Sequence, residues 1–107
     1  MKRSLVTIFA CLLAGAVGCL PAKAQSFAYV ANAGSDSVSV INTASNTVVA
    51  TVPVGSVPRG VAITPNGAFA YVTNRDSNTV SAINTATSTV VATVPVGHAP
   101  DGVAITP

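Results

Sequence analysis

The feature of this sequence that most limits its fold is an internal repeat of 42 residues. Residues 27–65 align without a gap with residues 69–107, and 28 of the 39 aligned pairs are identical. A period of about 40–45 residues is typical of repeat architectures, in which each unit buries its apolar surface against a neighbouring unit. We therefore expect residues 25–107 to form one domain of two equivalent units.

Each unit contains short apolar segments, rich in β-branched residues, separated by turn-forming residues. Pro65, Asn66 and Gly67 predict a tight turn, because Pro fixes φ and both Asn and Gly accept unusual backbone angles. Pro95 cannot donate to a β-ladder, so the segment that contains it is predicted to be an edge strand. No window of the chain after residue 24 has helical apolar spacing, so no helix is expected there. The predicted strands of one unit cover residues 60–64, 68–73, 79–84 and 89–96.

Both faces of the predicted sheets are apolar. Phe69 and Tyr71 lie on one side of their strand, whereas Ala70 and Val72 lie on the other. Such a sheet must be covered on both faces, and the radial stacking of a β-propeller satisfies that need. A β-sandwich is the alternative, although it leaves an outer face to water. We predict an all-β fold of propeller blades, with about two four-stranded antiparallel meanders in an incomplete ring.

The tetrapeptide Tyr-Val-Thr-Asn at residues 71–74 resembles the signature of the YVTN β-propeller repeats. The flanking residues 60–67, 78–81 and 89–97 are similar to that family as well, and residues 29–32 carry the signature with one substitution. The resemblance implies an exported bacterial or archaeal surface protein, typically with seven blades. It also implies a fold similar to the propellers of quinoprotein dehydrogenase subunits and haem d1 nitrite reductases.

The length of the chain departs from that family pattern. Seven units of this size need about 290 residues, within the usual blade numbers, whereas Gln25 to Pro107 provides 83. The predicted strands make three strands of one blade, a complete blade, and a lone strand at residues 102–106. Two blades cannot close a ring. We therefore expect either a fragment of a longer propeller or a subunit, with other copies of itself or the missing blades as partners.

The N-terminus predicts a secretory signal peptide at residues 1–24. Lys2 and Arg3 precede an apolar stretch at residues 5–17, and a small-x-small pattern ends at Ala24. Cleavage there predicts an exported protein that is periplasmic, on the cell surface or secreted. One alternative is an uncleaved membrane anchor, for which the apolar stretch is short. The other is lipid attachment at Cys19.

Removal of this segment would also change the composition. Cys11 and Cys19 both lie within it, so the mature chain would have neither a disulfide nor a thiol. The formal charge of +2 arises there too, because the remainder has two arginines and three aspartates. A net charge of −1 gives no support for nucleic-acid binding. No stable membrane span is expected after cleavage.

The charged residues predict a binding face at one end of the blades. In a meander alternate loops share an end, which places together the loops at 32–37, 55–60, 74–78 and 97–102. Binding residues are common on loops that a rigid scaffold holds, and the ligand would be a protein, a small molecule or a glycan. The simpler interpretation is that these loops are polar because they face water. The candidate face comprises Asp36, Arg59, Arg75, Asp76, His98 and Asp101.

The same residues give little support for catalysis. His98 and Asp101 could form a metal pair or an oriented general base, but the equivalent residues of the first unit are Ser56 and Arg59. The sequence contains no second histidine that could complete a metal site. Arg75 and Asp76 could bind an anion or a sugar hydroxyl, and a surface ion pair is the simpler interpretation. We predict no catalytic residue, no metal and no cofactor.

Three functional hypotheses remain open. The leading one is an exported, non-enzymatic propeller module for binding or surface structure. The second is a fragment of a quinoprotein-like or lactone-hydrolysing propeller enzyme. The third is a lectin-like oligomer that binds sugars between blades, although the four aromatic residues after residue 24 are predicted to be core. Those residues are Phe27, Tyr29, Phe69 and Tyr71.

Overall fold

A computed structural model describes residues 26–107 of the chain. The predicted signal peptide, its cleavage site and both cysteines lie outside the described residues. The described part contains seven strands and no helix, which confirms the all-β prediction. The strands are β1 (Phe27–Asn32), β2 (Ser37–Asn42), β3 (Thr47–Pro53), β4 (Pro58–Ile63), β5 (Phe69–Asn74), β6 (Thr79–Asn84) and β7 (Thr89–Pro95).

These strands form two antiparallel meanders. The first sheet has the order β1-β2-β3 and the second sheet has the order β4-β5-β6-β7. The 42-residue repeat is visible in the pairing, because Tyr29 faces Val40 in the first sheet as Tyr71 faces Ala82 in the second. Both sheets also shift register at the same place in the repeat. Among residues 26–107, the first sheet has no counterpart of β4.

Asparagine side chains hold the hairpin turns. The Asn42 Oδ1 accepts a hydrogen bond of 2.9 Å from the backbone N–H of Ala44, and Asn84 does the same for Ala86. Each of these asparagine side chains therefore caps the turn that follows its strand. In the predicted tight turn, Gly67 has a φ of 75°, which a residue without a Cβ adopts at little cost.

The strands that end in proline lie at the edges of the sheets, as predicted. β3 and β7 each end in a proline and each forms an edge of its sheet. The lone strand predicted at residues 102–106 is wrong for this structure, because the segment is not a strand. Strand β1 forms the open edge of the three-stranded sheet, and residues 102–106 do not pair with it.

The core lies between the two sheets. Each sheet has two sides. Val38 and Val52, which pair across β2 and β3, lie on one side of the first sheet. We call this side, and the equivalent side of the second sheet, the front face. We call back face the opposite side, which carries Val72 and Ile83 in the second sheet. The front face of the first sheet packs on the back face of the second. The buried cluster consists of Val38, Val40, Val52, Ala70, Val72 and Ile83.

The two remaining faces are open. Val30 on the back face of the first sheet is 41% exposed, whereas the equivalent Val72 is fully buried. Val94 on the front face of the second sheet is 44% exposed, whereas the equivalent Val52 is 2% exposed. Phe27 is also exposed, so the prediction that all four aromatic residues are core is wrong for it, since it lies at the start of an open edge strand.

Candidate binding face

Four loops meet at one end of the two sheets, as the alternation of strand direction predicts. The loop at 33–36 contacts the linker at 54–57, because Val54 N donates to Asp36 O at 3.0 Å. That linker contacts the loop at 75–78, because Arg75 N donates to Val57 O at 2.9 Å. We call residues 33–36, 54–57, 75–78 and 96–101 the loop face. Backbone hydrogen bonds therefore join the loops of both sheets into one continuous surface.

Asp36 has a structural role in this surface. Its Oδ1 accepts a hydrogen bond of 3.0 Å from the backbone N–H of Val57, and the equivalent Asn78 Oδ1 accepts one of 2.9 Å from Ala99. All four residues have φ between 52° and 56°, a region that a β-branched residue such as Val57 adopts at a cost. The carboxylate of Asp36 thus holds a strained linker in place.

The other four charged residues form two exposed ion pairs at this end of the sheets. One of them, Arg59, lies in strand β4 and not in a loop as predicted. Arg59 Nε lies 3.6 Å from Asp101 Oδ1, and Arg75 donates to Asp76 Oδ1 at 3.1 Å. Exposed pairs of this kind contribute about 0–1 kcal/mol. Asp101 therefore pairs with arginine and not with His98, which is exposed. Within residues 26–107 no group of three histidine, cysteine, aspartate or glutamate side chains is placed to hold a metal.

Asn74 lies beneath the loop face and links it to the second sheet. Its side chain is fully buried. Its Nδ2 donates to Thr79 Oγ1 at 3.1 Å and to Ser81 Oγ at 2.9 Å, while its Oδ1 accepts from Gly55 N at 3.2 Å. A buried amide with both ends satisfied fixes the linker that connects the sheets.

A groove of about 350 Å³ opens between the sheets beside the loop face. One wall is the end of β3 and the linker, at residues 53–55, and the other is the back face of the second sheet. The second wall presents hydroxyl groups and one aliphatic side chain. Its residues are Ser77, Thr79, Ser81, Val90 and Thr93.

The groove is a feature that the sequence does not predict. The predicted binding residues are charged, whereas the groove is lined mostly by small hydroxyl side chains. The available signal was the alternation of Ser77, Thr79 and Ser81, which places three hydroxyl groups on one face of a strand and its approach. That signal could not be assigned to a groove without the position of the first sheet.

Comparison with known families agrees with this architecture. The model of the family described as "Lactonase, 7-bladed beta-propeller" matches residues 17–105. The chain belongs to this lactonase-type propeller family. Its two sheets are therefore part of a β-propeller, and the match begins within the segment predicted to be a signal peptide.

A solved structure shows the same fold. The chain is similar to a chain of the Kuenenia stuttgartiensis hydrazine synthase, with 31% sequence identity and a TM-score of 0.71 over 72% of this lactonase-type chain. The chain spans 22% of that protein's chain. A search of curated proteins gave no match. Among the described residues, no helix has the length and apolar character needed to cross a membrane.

Proposed function

We propose that this chain is an exported, non-catalytic propeller module of the YVTN-repeat type, and that it binds a neutral, oxygen-rich ligand such as a glycan. The observation that carries the proposal is the hydroxyl-lined groove beside the loop face. The groove lies between two sheets that pack through a buried core. Its walls are therefore held in place before a ligand arrives, which lowers the entropic cost of binding.

The hydrogen-bonding state of the groove favours a ligand that accepts hydrogen bonds. The oxygens of Ser77, Thr79 and Ser81 each accept a hydrogen bond, from Ser56 N or from the Asn74 side chain. Within the described residues none of these three hydroxyls donates to another group. Since each hydroxyl has one hydrogen to donate, the half-buried Ser77 and Thr79 offer donors to the ether, hydroxyl or carbonyl oxygens of a ligand, whereas Ser81 is buried.

The electrostatics of the surrounding surface favour a neutral ligand. Arg59 and Arg75 are each paired with an aspartate, and the Asp36 carboxylate accepts from a backbone N–H. Within residues 26–107, each charged group near the groove therefore already has a partner. Val54 and Val90 add apolar contact area for the C–H groups of a sugar ring.

Thr93 allows a direct test, because its replacement by valine removes a hydroxyl while preserving shape. Calorimetric titration with neutral oligosaccharides of xylose, glucose and N-acetylglucosamine would measure affinity. We expect Thr93→Val to weaken binding about fivefold, which corresponds to ~1 kcal/mol for one hydrogen bond. Thr51→Val is the matched control, because Thr51 is the equivalent residue on the open back face. Equal losses in both variants, or no binding at millimolar concentrations, would contradict the proposal.

A second candidate function is lactone hydrolysis, which the family match favours. In that case the chain would supply part of a larger catalytic ring, with His98 or Asp101 near the reacting bond. The test is the hydrolysis rate of a simple aliphatic lactone above the rate in buffer. Loss of such activity in both His98→Ala and Asp101→Asn would favour the enzyme. Absence of any acceleration would favour the binding module.

A further inference from the structure

A pocket of about 360 Å³ lies between the two sheets, at the end opposite the loop face. We call it the turn pocket, because residues of two turns form part of its wall. Phe27 and Tyr29 line it from the front face of the first sheet, and Ile63 lines it from the back face of the second. These are the two faces that pack on each other. The turns contribute Asn66, Gly67 and Thr85.

Large apolar side chains form the walls of the turn pocket. Phe27 and Tyr29 are alternate residues of β1, so their rings lie on the same face of the strand. Tyr29 packs against the buried core, which holds its ring in place. Ile63, from the end of β4, is 39% exposed and lines the wall that the second sheet provides. Two aromatic rings beside an aliphatic side chain favour a flat, apolar ligand, because aromatic rings interact well by stacking or edge-to-face contact.

Asn66 provides an oriented hydrogen-bond donor in this pocket. Its Oδ1 accepts a hydrogen bond of 2.8 Å from Thr64 Oγ1 and one of 3.0 Å from the backbone N–H of Ala68. These two bonds fix the plane of the amide and occupy its oxygen. Within residues 26–107 the Asn66 Nδ2 donates to no other group, so both of its hydrogens are available to a ligand.

The phenol of Tyr29 provides a second donor. Its side chain is half-buried, and burial raises the pKa of the phenol because the phenolate would be poorly solvated. The hydroxyl therefore keeps its hydrogen at neutral pH. A buried tyrosine hydroxyl usually has a hydrogen-bond partner, whereas no residue in the described part of the chain bonds to this one. Its hydrogen is thus available to a ligand.

The turn pocket offers few groups that accept hydrogen bonds. The Asn66 Oδ1 already has two donors, and Thr85 Oγ1 donates to the backbone oxygens of Gly67 and Ala68, at 2.6 and 3.0 Å. Among the described residues, none of those that line the pocket is charged. A sugar presents several hydroxyls that need acceptors, and an ion needs an opposite charge, whereas a carbonyl oxygen needs only donors. The pocket therefore favours a neutral ligand with a carbonyl group.

We propose that the turn pocket binds a small, neutral aromatic ketone. The aromatic ring of the ligand packs against Phe27, Tyr29 and Ile63, and its carbonyl oxygen accepts hydrogen bonds from the Tyr29 hydroxyl and the Asn66 Nδ2. A carbonyl oxygen has two lone pairs, so it accommodates both donors. This site is separate from the groove proposed for a glycan, since the two share no lining residue. Failure of either proposal would leave the other intact.

The first experiment compares two ligands of similar shape, acetophenone and ethylbenzene, which differ in the carbonyl group. Titration of the unmodified protein, followed by the backbone amide NMR signals, measures both dissociation constants. We expect acetophenone to shift the signals of Asn66 and Gly67 and to bind at least about fivefold more tightly than ethylbenzene, as hydrogen bonds to the carbonyl require. Methyl glucoside tests the alternative of a sugar, and it should leave these signals unchanged.

Two substitutions test the donors separately. Tyr29→Phe removes the hydroxyl and keeps the ring, so it should weaken acetophenone binding about fivefold and leave ethylbenzene binding unchanged. Asn66→Asp keeps an oxygen at Oδ1 and replaces the amide donors with a second acceptor, so it should weaken acetophenone binding at least as much. Tyr71→Phe is the matched control, because Tyr71 is the equivalent residue of the second unit and does not line the turn pocket.

Several results would overturn the proposal. Equal dissociation constants for acetophenone and ethylbenzene would show that the carbonyl group makes no hydrogen bond. Equal losses in Tyr29→Phe and Tyr71→Phe would place the ligand elsewhere. Absence of acetophenone binding at millimolar concentrations, or shifts of the Asn66 and Gly67 signals by methyl glucoside instead, would show that the turn pocket does not select an aromatic ketone.

Discussion

The side-chain oxygen of Asn74 accepts a hydrogen bond from the backbone N–H of Gly55, 3.2 Å away, at the junction between the two sheets. The contact is close on the carbon side as well, because a Cβ built on Gly55 would lie 2.7 Å from Asn74 Cγ. Both the hydrogen bond and the absence of a side chain are needed for the linker to pass over the buried amide.

This contact predicts a large difference between two equivalent glycines. Gly55→Ala should lower the free energy of unfolding by about 1–3 kcal/mol, since the new methyl group must displace a fully buried side chain. Gly97→Ala should have little effect, because nothing lies within 4 Å of its position. Urea unfolding of both variants measures the difference. Similar losses would show that Asn74 adjusts freely.

The two equivalent isoleucines of the back faces test the location of the core. Ile83 is fully buried between the sheets, whereas Ile41 lies on the open back face. Ile83→Ala should cost about 2–5 kcal/mol through lost burial and the cavity that remains. Ile41→Ala should cost clearly less, because Ile41 lies on the open back face. Thermal or urea unfolding would measure both costs, and equal values would contradict the packing of the two sheets.

The strained linker predicts a stabilising substitution. Val57 has a φ of 55°, which costs an ordinary residue about 1–2 kcal/mol. Asparagine tolerates this region better, so Val57→Asn should raise the free energy of unfolding by about 1 kcal/mol. Ala99→Asn should also stabilise, but less, because alanine is not β-branched. Calorimetric melting of the two variants provides the comparison, and a lowered melting temperature for Val57→Asn would show that its apolar contacts outweigh the strain.

Tyr29 predicts a change of stability at alkaline pH. Burial raises the pKa of its phenol above the ordinary value of 10.0, because the charged form is poorly solvated. The folded state therefore holds this proton more tightly than the unfolded state. The resulting stability is complete below pH 10 and is lost as the pH rises through the folded-state pKa. Urea unfolding between pH 9 and 11 should show a steeper decline for the unmodified protein than for Tyr29→Phe, and parallel declines would contradict the shift.

The sequence predicts most of the fold because each unit carries its own turn chemistry. The Pro-Asn-Gly turn at residues 65–67, the capping Asn42 and Asn84, and the edge-strand prolines are local signals, and all of them agree with the structure. Their effect depends on a few neighbouring residues. Local patterns therefore identify strands and turns without knowledge of the rest of the molecule.

The sequence does not predict which equivalent residues are buried. Val30 and Val72 are the same residue in the same local pattern, yet one is exposed and the other is buried. The difference arises only because one sheet has a neighbour on that side. The groove cannot be predicted for the same reason. Its hydroxyl groups line a groove only because the end of the first sheet lies opposite them. The alternation of strand direction brings the charged residues toward one end of the sheets, but the sequence does not predict which of them form ion pairs.

The packing of a front face on a back face also affects how such a protein can gain repeat units during evolution. Each stretch of the gene that encodes one 42-residue unit encodes both a front face and a back face. An in-frame tandem duplication therefore adds a compatible contact together with the new blade, and no second mutation has to create one. The near-identity of the two units along this chain is the sequence pattern that such a duplication leaves behind.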